Sequence, residues 1–341
     1  MKQQKLEEKV RRIFEDQGFK VSKEDDVFIA ENDEELVLNI FSSEDFTWEE
    51  AIESVSEGKI FVDEGLEEVE KRVQNPVSVI REDKDEEDYD LPSYELIGEI
   101  AVINELTVDE EEAVEGILEH HPSVKTVLLK EEPLQGEYRV GGYRKLYGEE
   151  TETVHKEYGC RFKVDPTKVY YSERFSTERK RVVDQIEEGE RVLVMFAGVG
   201  PFAIMAAKLA NPEKVVAVEK NPEAAEYLKE NIELNDFGDV VEGYEGDVRE
   251  IVPELDERFD RIIMPLPEKA DEFLGLAADL AGKNGVVHYY RFLENDDWAP
   301  LHDEVESVVR GRGRSFEVLD SVICGDRGPA ASRVCLDIKL G

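Results

Sequence analysis

The chain has 341 residues, enough for two or three domains and a sizeable core. Its 82 acidic residues against 42 basic ones leave a formal net charge of −40, which speaks against a dedicated basic footprint for nucleic acid. The acid is spread through the whole chain, a pattern that fits a proteome adapted to high salt. In molar salt the screening length falls to about 3 Å, so a basic field would gain little and RNA is not excluded. Three cysteines, Cys160, Cys324 and Cys335, are odd in number and lack metal spacing. They predict a reduced cytoplasmic setting and no metal site. The opening MKQQKLEEKV lacks the apolar core of a signal peptide, and no stretch approaches the length of a membrane span.

Residues 1–72 read as a small α/β module. An amphipathic helix carrying Leu6, Val10, Ile13 and Phe14 on one face leads to strand candidates at 19–21, 27–30 and 36–40. The stretch 73–93, with Pro76, an acidic run over 82–88 and Pro92, reads as a linker. A middle block over 94–165 follows, with a strand at 97–103, a helix from Asp109 to His120 and a strand at 126–129. From residue 166 onward, strands and helices alternate. The expected fold class is therefore α/β, with a central mostly parallel doubly wound sheet preceded by two smaller α+β domains.

The most informative stretch is MFAGVGPF at 195–202, where an apolar strand ends in a glycine turn that opens into a helix. Gly198 and Gly200 permit positive φ and close backbone approach, and the helix start at Pro201 presents free N–H groups. Phe196, Ala197 and Val199 complete this candidate cofactor loop. A second strand ends on Glu219, whose carboxylate can accept both ribose hydroxyls, followed by Asn221. A third ends in Gly246-Asp247-Val248, where Asp247 can hold an adenine amino group, and a fourth ends in Pro265-Leu266-Pro267. The acid after the second strand is shared with dinucleotide sites, and Ala203 satisfies that fingerprint formally. The later strand ends favour a Rossmann-like methyltransferase using S-adenosylmethionine.

Residues 94–341 resemble the archaeal and eukaryotic tRNA guanine-N1-methyltransferases, which modify the guanosine 3′ to the anticodon at position 37. The resemblance rests on GEYRV at 136–140, HKEYG at 155–159, VYYSER at 169–174 with TER at 177–179, the MFAGVGPF run, and VHYY at 287–290. It implies a class I methyltransferase domain and an RNA-binding middle domain. In archaeal members the N-terminal domain helps to check tRNA shape. It further implies that Glu178 is the general base for the N1 proton and Arg139 the cation at O6. Arg174 and Arg179 would contact phosphate or orient the base, with Tyr170 and Pro265 also at the substrate. The expected partner is tRNA, with a monomeric enzyme and no protein partner.

The sequence departs from the family at three places. Val194 stands where an Asp is usual, Pro265 where an Asn is usual, and Gly141 where a second arginine is common. Local sequence alone offers a plainer role for Glu178, as a first-turn carboxylate in a helix capped by Ser176 or Thr177. Two other functions compete. One is transfer of the aminocarboxypropyl group of the same cofactor in wybutosine synthesis, which needs no N1 base. The other is an RNA-binding module with a vestigial cofactor pocket, which predicts loss of Glu219 or Asp247, and both are present.

Overall fold

The computed structural model describes residues 91–131, 141–294, 297–328 and 331–341, together with the backbone of five strands within 1–90. Arg139 and the expected N-terminal helix lie outside the described residues. The chain divides into two compact units, 1–89 and 90–341. In the first, β1 (Lys20–Glu24), β2 (Val27–Glu31) and β3 (Val37–Phe41) form an antiparallel sheet. β4 (Lys59–Phe61) pairs in parallel with β5 (Ser78–Ile80), a strand that falls inside the stretch expected as linker.

The second unit opens with β6 (Tyr94–Ile97), β7 (Ile100–Ile103), helix α1 (Glu110–His120) and β8 (Thr126–Lys130). The single strand expected over 97–103 is in fact a hairpin, for Gly98 turns the chain at φ 58° and β6 pairs antiparallel with β7. A Cβ at Gly98 would stand 2.4 Å from Thr153 Oγ1, so only glycine fits this tight turn. β9 (Tyr143–Tyr147) completes a four-stranded sheet, and β10 (Thr153–Glu157) with β11 (Cys160–Val164) forms a further hairpin. One face of the four-stranded sheet buries Ala101, Ile103 and Val127 against Ala113 and Ile117 of α1. Its other face, with Ile100, Val102 and Leu128, shares a core with the segments that follow, so this block and the remainder form one body.

A one-turn 3-10 helix, Glu173–Phe175, leads into α2 (Ser176–Val183). The chain then alternates β12 (Arg191–Met195), α3 (Pro201–Leu209), β13 (Lys214–Glu219), α4 (Pro222–Leu234), β14 (Val241–Glu245), α5 (Val248–Glu254), β15 (Phe259–Met264) and α6 (Ala270–Leu280). It closes with β16 (Ala281–Glu294), α7 (Ala299–Arg310), β17 (Phe316–Gly328) and β18 (Ala331–Leu340). The seven strands lie in the order β14-β13-β12-β15-β16-β18-β17. The first four pairings are parallel and the last two antiparallel.

The two-residue period of a strand explains why this sheet needs helices on both faces. Val192 and Val194 of β12 bury into one core with Ala203 and Ile204 of α3, while Leu193 and Met195 bury into another with Phe273 and Leu274 of α6. Three helices open on the sheet's carboxyl edge in the expected way. Pro201 and Pro222 occupy first-turn positions, and Asn221 and Asp247 cap α4 and α5 by accepting the N–H of Glu223 and Arg249. Ligands of open α/β sheets bind at this edge.

Candidate active site

At the carboxyl edge of β12, β13, β14 and β15, a cleft is lined by Tyr170, Phe196, Gly198, Glu219, Asn221, Asp247, Val248 and Pro265. The sequence places all eight in the site. Ala197, Val199, Gly200 and Pro201 do not line it. They shape the loop from behind, with Ala197 and Val199 fully packed. Gly200 adopts φ 96°, and a Cβ there would meet Leu228 Cδ1 at 2.7 Å. Phe196 also sits at positive φ, 59°, and its ring meets Phe273 edge-on at 4.7 Å between centroids. Such a backbone cost in a non-glycine residue is characteristic of functional loops.

Glu219 organises the cleft. Its Oε2 accepts the Gly198 N–H and its Oε1 the Asn221 N–H, both at 2.7 Å. Burial pushes its carboxyl above the ordinary value, and the backbone donors pull in the other direction. The loop therefore has a carboxylate anchor although Val194 supplies none, and Asn231 adds a bond from Nδ2 to the Val199 carbonyl at 3.0 Å. With Gly198, Asn221 and Lys220 as backbone donors, the Glu219 carboxylate keeps one further lone pair for a ligand hydroxyl, and the space beside Gly198 is open, with nothing within 4 Å of a Cβ placed there. A ribose fits this cradle.

Asp247 faces the same cleft with both oxygens engaged. Arg249 donates to it from Nε at 2.9 Å and Nη2 at 2.6 Å, and Lys220 lies 3.4 Å away. These cations, Arg249 foremost, hold its carboxyl well below the usual range. Arg249 in turn lies over the Phe273 ring at 5.0 Å. Sequence reasoning missed Arg249, Lys269 and Phe273 as cleft residues. Arg249, two positions after Asp247, was the one signal available.

The substrate-side residues divide sharply. Tyr170 reaches the cleft, whereas its neighbour Tyr171 is core and donates its hydroxyl to Glu157 at 2.7 Å. Arg174 is half-exposed and bonds Glu95 of β6 from Nε at 2.9 Å, leaving its outer edge available. Arg179 requires a correction. Its side chain is 5% exposed and pairs with buried Glu157, while Nη1 and Nη2 donate to the Ser172 carbonyl at 3.1 Å. Its Nε, Nη1 and Nη2 are all spent on Glu157 and the Ser172 carbonyl, so it ties α2 to β10 and presents no donor outward to phosphate.

Glu178 also points inward, 7% exposed, and does not line the cleft. Neither Ser176 nor Thr177 caps α2; the N-cap residue is Phe175, without a side-chain bond. The Glu178 carboxylate accepts the Tyr290 hydroxyl at 2.6 Å and a two-pronged pair from Arg181 at 2.7 and 2.9 Å. Arg181 extends to Asp337 at 2.6 Å, and Asp337 accepts from buried His288 at 2.6 Å. His288, Cys335 and Asp337 lie close enough to suggest a metal site. The Asp337 carboxylate is instead saturated by Arg181, Gln185 and His288, which hold its pKa far below the ordinary value despite burial. Tyr290 also packs its ring against Phe202 at 6.3 Å, linking Glu178 to the cofactor loop.

A mostly parallel sheet of this order, with a glycine turn after β12 and acids after β13 and β14, defines a class I Rossmann-like methyltransferase. A family model described as the TRM5/TYW2 methyltransferase domain matches residues 153–309. The tRNA (guanine(37)-N(1))-methyltransferase Trm5b of Pyrococcus abyssi is 38% identical over 284 residues, covering 82% of this chain and 84% of that protein. The chain belongs to the TRM5/TYW2 methyltransferase family. Among solved structures, wild-type Trm5b from Pyrococcus abyssi superposes with a TM-score of 0.67 at 31% identity, covering 99% of this chain and 97% of that one. M. jannaschii TYW2 in complex with AdoMet gives a TM-score of 0.58 at 29% identity, covering 73% and 99%.

The cofactor of the cleft is accordingly S-adenosylmethionine. Replacing Glu219 by Ala removes the anchor of Gly198 and the carboxylate that faces the cleft. Each charge-assisted bond contributes about 1.5–3 kcal/mol, so cofactor affinity is expected to fall by roughly 10²-fold or more. Calorimetric titration with S-adenosylmethionine reads this directly. An unchanged affinity would remove Glu219 from the site.

Proposed function

We propose that the chain transfers a methyl group from S-adenosylmethionine to N1 of the guanosine 3′ to the anticodon of tRNA. The observation that carries the reading is Glu178, a buried carboxylate set between Tyr290 and Arg181, with the Tyr290 ring packed against Phe202 in the first turn of α3, just past the cofactor loop. The likeness to Trm5b over most of both chains supports the same substrate. Guanine N1 carries a proton that must leave as the new C–N bond forms and the methyl–sulfur bond breaks. When bound, the cofactor supplies the electrophilic methyl group. Glu178 takes the N1 proton, for which Tyr290 or Arg181 must release one of its oxygens. Arg139 is proposed at O6, Arg174 at phosphate, and Tyr170 and Pro265 beside the base. Phe196, Gly198, Glu219, Asn221, Asp247 and Val248 hold the cofactor.

Residues 1–72 are proposed as a tRNA-shape module, 73–93 as a connection, 94–165 as the RNA-binding block and 166–341 as the catalytic domain. The uniform acid of the sequence supports work in high salt and its three cysteines a reduced cytoplasmic setting; a monomeric state is proposed beside them. The competing reaction, aminocarboxypropyl transfer, needs no base for N1, and Glu178 disfavours it. The deciding experiment incubates the full chain with S-adenosylmethionine, labelled separately in the methyl and the aminocarboxypropyl carbons, and unmodified tRNA in molar salt, then maps the product nucleoside. We expect 1-methylguanosine at position 37. A carboxypropyl adduct, or no transfer, would sink the reading.

A further inference from the structure

Arg333 of β18 is more than nine-tenths buried, yet among the described residues it has no carboxylate partner. The other buried arginines differ in this respect. Arg179 has Glu157 and Arg261 has Glu190, and the partly buried Arg181 has Glu178 and Asp337. A guanidinium keeps its proton under all ordinary conditions, so this positive charge is permanent. Its surroundings compensate it poorly. The Phe175 ring lies 4.0 Å from its central carbon and the Tyr290 ring 5.7 Å, and Nη2 donates to the Pro265 carbonyl at a long 3.3 Å. Nε has no hydrogen-bond partner. Among the described residues Arg191 Nε is likewise unpaired, but that guanidinium has Glu213 and Glu257 as carboxylate partners; at Arg333 neither the donor nor the charge is answered, and a ligand that is bound only part of the time supplies an explanation.

The position of this cation narrows that ligand. Pro265 lines the cofactor cleft, Phe175 immediately precedes the helix carrying Glu178, and Tyr290 donates its hydroxyl to Glu178. Arg333 thus stands where the cofactor cleft, Glu178 and the Pro-Leu-Pro turn converge. Proline at 265 has no side-chain donor, so a base beside this turn needs one from elsewhere. The Phe175 ring that covers the guanidinium is only half-buried and rests against Gly325, where a Cβ would approach Phe175 Cε1 to 3.1 Å.

We propose that Arg333 is a substrate-contacting, specificity-determining residue whose Nε and Nη2 edge donates to the N7 acceptor and to the second lone pair of O6 of the target guanine, the first being taken by Arg139, once the Phe175 ring swings aside. The two-pronged match of an arginine fork to O6 and N7 is the commonest specific contact to guanine. It also places a fixed positive charge at the oxygen on which negative charge develops as N1 loses its proton. The proposal rests on the guanine-N1 reading above and adds the edge of the base through which the purine is recognised.

The test is single-turnover methyl transfer by the full chain on tRNA carrying guanosine or 7-deazaguanosine at position 37, with Arg333→Met and Arg333→Lys beside the wild type. Wild type should prefer guanosine by roughly tenfold, in line with one good base contact. Arg333→Met should lose about 10- to 100-fold on guanosine and show no preference between the two bases, with cofactor affinity within about twofold of wild type. Arg333→Lys, which keeps the charge without the fork, should recover part of the rate. A variant that retains the wild-type preference overturns the proposal, as does a loss of cofactor affinity in step with rate. If neither Arg333 variant folds, Phe175→Ala, which uncovers the guanidinium, should keep the preference for guanosine; loss of that preference overturns the proposal. A wild-type enzyme inert on both substrates overturns the functional reading, and this one with it.

Discussion

Glu178→Gln is expected to slow single-turnover methyl transfer by roughly 10²- to 10⁴-fold, the span that a positioned general base contributes, while cofactor affinity stays within about twofold. The substitution keeps the shape of the side chain and an acceptor for the Tyr290 hydroxyl. Arg181 loses one anion but keeps Asp337 at 2.6 Å, so the helix remains docked. A structural role for Glu178 makes a different prediction. The two-pronged Arg181 pair would then be its whole purpose, and Arg181→Met would slow the reaction as much as Glu178→Gln does. Rapid-quench kinetics on the two variants at one pH separate these outcomes. A Glu178→Gln enzyme with the wild-type rate constant would remove Glu178 from the chemistry.

The parts of this molecule that could be read in the sequence are those where a short segment determines its own geometry. The glycine turn, the acids at the ends of β13 and β14, and strand β15 over Phe259–Met264 all sit where period, capping and turn chemistry place them. The errors came where distant residues decide. At Gly98 the sequence reads as one strand because Ile97 and Ile100–Ile103 are equally apolar, and only Thr153, 55 positions later, shows how little room the turn has. The resemblance implies that Arg179 contacts phosphate or orients the base, whereas its partner, Glu157, lies on another hairpin. Val194, next to the glycine loop in sequence, supplies it no acceptor, and Glu219 on the next strand does. Arg333 carried no local signal at all. Its meaning depends on Phe175, Pro265 and Tyr290, which three separate segments bring together.

Arg179→Met is expected to destabilise the unit 90–341 by about 3–5 kcal/mol, because it leaves Glu157 as an uncompensated charge in the interior. At 4% exposure that carboxylate has no water to turn to, and its remaining donor is the Tyr171 hydroxyl at 2.7 Å. The Ser172 carbonyl loses its two donors at the same time. Denaturant unfolding measures the loss, and for a body of this size the melting temperature should fall by about 10 °C. Replacing Glu157 by Gln in the same chain removes the stranded charge and should recover much of the loss, since an intact buried pair is often worth little more than a neutral replacement. A phosphate-binding Arg179 predicts the reverse, with stability within about 0.5 kcal/mol of wild type. The tRNA affinity would fall, and its dependence on salt would flatten by roughly one unit of slope. Because Arg179 and Glu178 are adjacent on α2, these measurements also decide how the Glu178 carboxylate is held. If the Arg179–Glu157 pair clamps the helix from one side, Arg179→Met should lower the methyl-transfer rate only as far as it lowers stability. A rate loss at temperatures where the variant is fully folded would mean that the clamp also sets the position of Glu178.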